Sequence, residues 1–255
     1  MNATSTSLLT EAQKEQFHRD GYCFVERVID EVNLEMLRRE CDRFVEETNA
    51  RMDGAGIEVE GISRRNSRYF IGQPSLQSDE VRAFVYGDLM ADICRSLLGD
   101  TVLLGWEQFV VKAADSGARF GWHQDCAYAS NMGATALPAS LSCWCALDDM
   151  SEENGTVYVL PYSKFGGDDL LPHERDEELN DLVGYTGDDP GTPAIVPAGS
   201  IVLFSGFTFH RSGTNKTNRM RRVYLPQYTS GIAKNADGSD FGRAEPFLID
   251  GRKVS

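Results

Sequence analysis

The chain holds four histidines, at positions 18, 123, 173 and 210. Two of them keep company that could do chemistry. His123 opens the tripeptide His123-Gln124-Asp125. On an extended chain residues i and i+2 point to one face, so an imidazole and a carboxylate can grip one ion from a single strand end. His210 follows the apolar run Ile201-Val202-Leu203-Phe204 and the segment Ser205 to Phe209. Two histidines and one carboxylate cover one face of an octahedral ion and leave the other positions open to reactants, the ligand set of non-haem Fe(II) oxygenases. A His-x-Asp tripeptide arises often by chance, so these three residues need support from their surroundings. His18 in a capped helix and His173 in an acidic stretch read as ordinary surface residues.

Support comes from Arg221, which follows His210 after the polar stretch Ser212 to Met220. If the chain turns after His210 and a strand resumes near Arg221, its guanidinium can return to the metal cavity. An always-charged, forked guanidinium binds a carboxylate bidentately. 2-Oxoglutarate carries a distal carboxylate that needs such a partner while its keto-acid end chelates iron. Arg219 and Arg222 are rivals for the role; if 221 faces the cavity, strand alternation turns 222 away. A second basic cluster, Arg64, Arg65 and Arg68 with Tyr69 and Phe70, lies in the irregular stretch 51–73. It could meet an anionic or aromatic substrate, though a solvated basic loop explains it somewhat better.

The positioning elements divide the chain in two. Thr10-Glu11-Ala12-Gln13 has the form of a capping box and opens a helix that stops near Gly21. A second helix starts after Asp30, with Val32, Leu34, Leu37, Cys41, Phe44 and Val45 as its apolar stripe. A third runs from Asp79 to about Leu98, stopped by Gly99. From Thr101 the pattern becomes short strands: Thr101 to Lys112, Leu141 to Leu147, Thr156 to Leu160, Ala194 to Val196, Ile201 to Phe204 and Arg222 to Tyr228. Helices followed by many short strands predict an antiparallel double sheet buttressed by an N-terminal helical layer. The acidic, Gly- and Pro-rich stretch 166–193 reads as a lid or a surface excursion.

Composition narrows the partners. Twenty-five basic against thirty-nine acidic residues give a formal charge of −14, which argues against nucleic acid or an anionic membrane as partner. No apolar run approaches the ~20 residues that span a bilayer, and the N-terminus lacks the basic start and apolar core of a secretory signal. Six cysteines without a CxxC pair read as reduced thiols in a cytoplasmic protein. The length suits one domain over residues 1–255.

With these residues assembled, the chain resembles the phytanoyl-CoA dioxygenase family of Fe(II)/2-oxoglutarate oxygenases. The resemblance runs from Phe17-His18-Arg19-Asp20-Gly21-Tyr22 through Trp122-His123-Gln124-Asp125 and Glu153-Asn154-Gly155-Thr156 to Pro197-Ala198-Gly199-Ser200 and the stretch His210 to Arg221. It implies a mainly β chain: a jelly-roll (double-stranded β-helix, cupin-like) core over about 101–230, with helices mostly in 1–100. It implies iron held by His123, Asp125 and His210, 2-oxoglutarate anchored by Arg221, and Gln108 and Trp144 in the cosubstrate pocket. The expected reaction consumes O₂ and 2-oxoglutarate and hydroxylates a small molecule, such as a natural-product intermediate or a small anionic metabolite. Asp125 stands where related halogenases have a small residue, which points away from halogenation. Where the family often has Pro-Gly-Ser-His, this chain has Pro161-Tyr162-Ser163-Lys164, and its acidity suits a coenzyme-A thioester poorly. The residues leave two other readings open: a cupin-like lyase or isomerase that does not use 2-oxoglutarate, and a non-catalytic jelly-roll binding protein.

Overall fold

The computed structural model describes residues 8–176 and 181–254. Helix α1 (Glu11–Asp20) starts as its capping box dictates: the Thr10 hydroxyl accepts from Gln13 N, and the Gln13 side chain accepts from Thr10 N. It stops at Gly21, whose φ of 85° lets the chain turn at once into β1 (Tyr22–Val25). Asp30 caps α2 (Glu31–Ala55). Its stripe Leu34, Leu37, Cys41, Phe44 and Val45 is buried, whereas Val32, expected inward, is 81% exposed at the second residue of the helix. The short strands β2 (Val59–Glu60), β3 (Ser63–Arg64) and β4 (Arg68–Gly72) follow.

The third expected helix is two, α3 (Asp79–Val85) and α4 (Asp88–Leu97). The chain breaks at Gly87, whose N–H returns to Phe84 O at 3.0 Å while its own carbonyl starts the next helix by accepting from Ala91 N. A Cβ at Gly87 would sit 3.0 Å from the carbonyl oxygens of Ala83 and Phe84. Both pieces still turn their apolar residues to one core, so the periodicity survives the break: Val81, Phe84 and Val85, then Met90, Ile93 and Leu97.

After the helices come β5 (Val102–Lys112), β6 (Phe120–His123), the one-and-a-half-turn α5 (Cys126–Asn131), β7 (Ser140–Ala146), β8 (Val157–Val159), β9 (Glu174–Asp176), β10 (Asp181–Val183), β11 (Thr192–Pro193), β12 (Ile201–Ser205), β13 (His210–Ser212), β14 (Arg221–Thr229), β15 (Glu245–Ile249) and β16 (Arg252–Lys253). The large sheet runs β1-β12-β7-β14-β5-β4-β3-β2, with β15 on β5 and β16 beyond it; the small sheet runs β11-β8-β13-β6. Every pairing is antiparallel. The chain is thus mainly β, a jelly roll of two facing sheets with helices on the outer face of the larger one.

Strand alternation sorts the side chains between two cores. On β7, Leu141, Cys143 and Cys145 face the helices, while Trp144 and Ala146 face the small sheet; on β12, Ile201 and Leu203 oppose Val202 and Phe204 in the same way. All six cysteines are free and buried. The first hundred residues are not purely helical: β1 and β4 complete the large sheet, pairing with β12 and β5. The expected strand Ala194–Val196 lies two residues earlier, at Thr192–Pro193. The C-terminal segment returns to the sheet through Leu248 opposite Val102. No helix among the described residues is long and apolar enough to cross a membrane.

Candidate metal centre

His123 ends β6 and His210 begins β13, and the two are direct cross-strand partners in the small sheet. Their rings lie 4.2 Å apart between centroids. Asp125 follows at the mouth of α5; it occupies that helix's N-cap position without capping it, because its carboxylate turns to the histidines. His210 Nε2 lies 3.4 Å and His123 Nε2 3.9 Å from Asp125 Oδ1. One ligand atom from each of the three falls within 4.8 Å of the others, a spacing that one ion could bridge.

Each ligand is oriented from behind. His123 Nδ1 lies 2.9 Å from Gly121 O and His210 Nδ1 lies 3.1 Å from Thr208 O, so each Nδ1 carries the proton and each Nε2 faces the centre. Asp125 Oδ2 accepts from Ser142 Oγ at 2.6 Å and from Gln227 Nε2 at 2.7 Å, which leaves Oδ1 for the metal side. Gln124, between the two β6-side ligands, is buried and points the other way: its amide donates to Phe207 O and Asp169 O and accepts from Leu171 N. It therefore ties together the loops that bear both histidines. Thr208 in turn donates to Gly21 O at 2.7 Å, and a Cβ on Gly21 would lie 2.5 Å from that hydroxyl. His173 is no ordinary surface residue. Its Nε2 accepts from Gln124 N at 3.0 Å and its ring stacks on Phe209 with 8° between planes.

Electrostatics fit a cation at the centre. Burial pushes the His123 imidazole down to about 3, and the facing His210 adds to the fall. Burial opposes ionisation of Asp125, yet the nearby His210, the hydrogen bond with it and His123 hold that carboxyl well below its ordinary range. Burial would also lower His210, but the Asp125 charge outweighs it and raises the pKa. The cluster thus already holds an anion facing imidazole nitrogens. Two nitrogens and one oxygen would hold a divalent ion there.

A cavity of about 650 Å³ opens in front of these residues. Gln108, Trp144 and Arg221 line it beside His123, Asp125 and His210, so the six residues expected to hold iron and 2-oxoglutarate share one cavity. Arg221 is 1% exposed, and its guanidinium carbon lies 5.5 Å from the centre of the Trp144 ring. Its Nη1 and Nη2 reach only the carbonyls of Val110 and Gly155, at 3.4 and 3.2 Å, and its Nε has no partner. Burial without a carboxylate in contact lowers its pKa to about 10. Its rivals are excluded: Arg222 turns outward onto Asp148 and Asp42, and Arg219 is exposed.

The basic cluster at 64–68 disperses. Arg64 is exposed, Arg65 pairs with Asp53, and Arg68 is buried 3.6 Å from Asp181. None of the three lines the cavity, whereas Phe70 does. Sequence reasoning missed Ser142, Gln227, Gln124 and Asp181. Two had a signal: Ser142 shares the inward face of β7 with Trp144, and Gln227 lies six residues after Arg221 on the same face of β14.

The sequence model of the phytanoyl-CoA dioxygenase (PhyH) family matches residues 17–223. A probable alpha-ketoglutarate-dependent hypophosphite dioxygenase of Stutzerimonas stutzeri is 28% identical over 193 residues, covering 72% of this chain and 65% of that protein, a little under two thirds of its length. L-proline trans-4-hydroxylase of Streptomyces griseoviridis is 24% identical over 244 residues, covering 84% of each. The crystal structure of EvdO2 from Micromonospora carbonacea var. aurantiaca, complexed with 2-oxoglutarate, superimposes with a TM-score of 0.69 at 24% identity, covering 94% of this chain and 97% of that one.

Proposed function

We propose that this chain, which belongs to the phytanoyl-CoA dioxygenase family of Fe(II)- and 2-oxoglutarate-dependent oxygenases, hydroxylates a C–H bond of a small molecule at iron held by His123, Asp125 and His210. The observation that carries the reading is Arg221: a buried guanidinium with an orphan Nε, no carboxylate in contact, and a cavity shared with the three ligands. A buried cation left this way is costly unless a ligand completes it. The distal carboxylate of 2-oxoglutarate is such a ligand, bound bidentately. Trp144, under the Arg221 guanidinium, would wall that subsite, and Gln108 would offer an amide to the same molecule.

Bound iron, with O₂ and 2-oxoglutarate, supplies the oxidation that yields succinate, CO₂ and a hydroxylated product. The protein's own part is positional. Nδ1–H bonds to Gly121 and Thr208 fix both imidazoles, and Ser142 with Gln227 fix the carboxylate. The relatives' names run from hypophosphite to L-proline, so membership of the family leaves the substrate open among small anionic metabolites and natural-product intermediates.

The test is 2-oxoglutarate turnover with Fe(II) and ascorbate, read as succinate. Wild type should release succinate even without substrate, and His123→Ala should abolish it. Arg221→Lys should raise KM for 2-oxoglutarate by about 10- to 100-fold, the worth of a charge-assisted fork at roughly 1.5–3 kcal/mol. Tight iron binding with no consumption of 2-oxoglutarate would favour a lyase or isomerase instead.

A further inference from the structure

One group in the cavity is left unused by this chemistry. Of the described residues that line it, only Asp125 and Asp181 are acidic. Asp125 is engaged through both oxygens, as set out above. Asp181 opens β10, which packs along β6, and is 3% exposed. Its Oδ1 lies 3.6 Å from Arg68 Nη1, while its Oδ2 is buried without any hydrogen-bond partner. An unpaired buried carboxylate oxygen costs on the order of 1–3 kcal/mol or more, and a cavity wall is where a ligand can relieve it.

The surroundings say what kind of ligand. The rest of the wall is largely apolar and includes Ile62, Trp106, Met132, Leu137, Ile232 and Phe241. Trp106 and Met132 are 43% and 68% exposed although apolar. A cavity of about 650 Å³ falls within the range of roughly 300–1,000 Å³ that encloses drug-sized molecules. A five-carbon acid fills only a minor part of it, which leaves room for a bulky substrate. The charge of Asp181 is already opposed by the nearby Arg68, which makes a neutral donor a better complement than a further cation. A carboxylate facing the bare Oδ2 would be repelled.

Resting on the iron and 2-oxoglutarate reading above, we infer that Asp181 is a specificity-determining residue: its Oδ2 accepts a hydrogen bond from a neutral hydroxyl or N–H of a substrate that is otherwise bulky and apolar, of two-ring size or more. The same pairing would set the face of the scaffold that the metal centre meets. Small carboxylate-bearing acids are disfavoured by the same oxygen.

The experiment uses enzyme loaded with Ni(II) and 2-oxoglutarate, which binds without turning over, and three probes of one skeleton: 2-naphthalenemethanol, its methyl ether and 2-naphthoate. Calorimetry should give a Kd for the alcohol at least tenfold below that of the ether, which can accept but not donate, with 2-naphthoate weakest. Asp181→Asn should retain part of the alcohol's advantage, since an amide oxygen still accepts, and Asp181→Ala should erase it. Equal affinities for alcohol and ether in wild type overturn the inference, as does tighter binding of 2-naphthoate or no binding of any probe. Because the comparison is made within wild type, it stands even if a variant folds poorly. A separate titration of the Ni(II) enzyme with 2-oxoglutarate distinguishes the two failures. Saturation there with no preference for the alcohol removes only the role of Asp181, and no saturation removes the reading beneath it.

Discussion

The two oxygens of Asp125 have different tasks. Oδ1 faces His210 and His123, and Oδ2 is occupied by Ser142 and Gln227. A carboxylate pinned on one oxygen presents the other in a fixed direction, and loss of such an outer partner commonly lowers metal affinity about 10- to 100-fold. Gln227→Met keeps the length and removes the donor. Titration with Co(II), followed by its visible absorption, should show a weakening of that order while the fold is retained; an unchanged Co(II) affinity would remove Gln227 from the support of the centre. The ligands themselves were legible because strand alternation and residue type suffice to pick out His-x-Asp. Their supports were less so, because a serine or glutamine on an inward face declares its partner only once the register of β7 against β14 is known; Gln227 in fact lies opposite Ser142 in that pairing.

At the scale of elements, Gly155 links the two halves of the site. It adopts φ of 76° in the turn before β8, and a Cβ there would lie 2.5 Å from Gly213 O and 2.9 Å from Thr214 O, both backbone atoms that cannot swing aside. Its own carbonyl accepts from Arg221 Nη2. Gly155→Ala therefore combines positive-φ strain, worth about 1–3 kcal/mol, with a displaced turn. For a chain of this size each kcal/mol corresponds to roughly 2–4 °C in Tm. A fall of several degrees should come with a higher KM for 2-oxoglutarate and little change in Fe(II) affinity, since the ligands lie on other strands. An unaltered KM in a destabilised variant would show that the turn serves stability alone. The glycine was visible in the sequence within Glu153-Asn154-Gly155, but its contact with Gly213 joins segments far apart in the chain. The same limit hid β1, whose four residues are too few to display a period, and concealed the break at Gly87, across which the helical spacing happens to continue.

At the scale of the whole molecule, the sorting of apolar residues between a helix-side core and an inter-sheet core was implied by alternation. The buried charges of the cavity were not, because burial of an arginine or aspartate depends on which strands face each other. Asp181 shows the consequence for stability. Burial, with a contribution from Asp176, raises its pKa from 3.8 to about 6, although Arg68, Lys112 and Arg175 pull the other way. Between those values the folded protein holds a proton that the unfolded chain has released. Asp181 is therefore tolerated best at acid pH, and its contribution to stability declines as pH rises from about 4 to about 6, by roughly 3 kcal/mol in all at ~1.4 kcal/mol per unit. His123 acts in the opposite sense: depressed to about 3, it costs stability as pH falls below the ordinary histidine range. The two trends partly mask each other in the wild type. They separate in a difference measurement, because His123 is common to both proteins. Unfolding free energies of metal-free wild type and Asp181→Asn, measured by denaturant from pH 4 to pH 7, should diverge by about 2–3 kcal/mol, the wild type losing ground as pH rises. The attraction of Arg68 acts only on the ionised carboxylate and is already contained in that raised pKa, so its loss in the variant adds no separate slope. A difference that stays constant across the range would mean that Asp181 ionises as freely in the folded protein as in the unfolded chain, and that its bare oxygen is hydrated rather than waiting for a substrate donor.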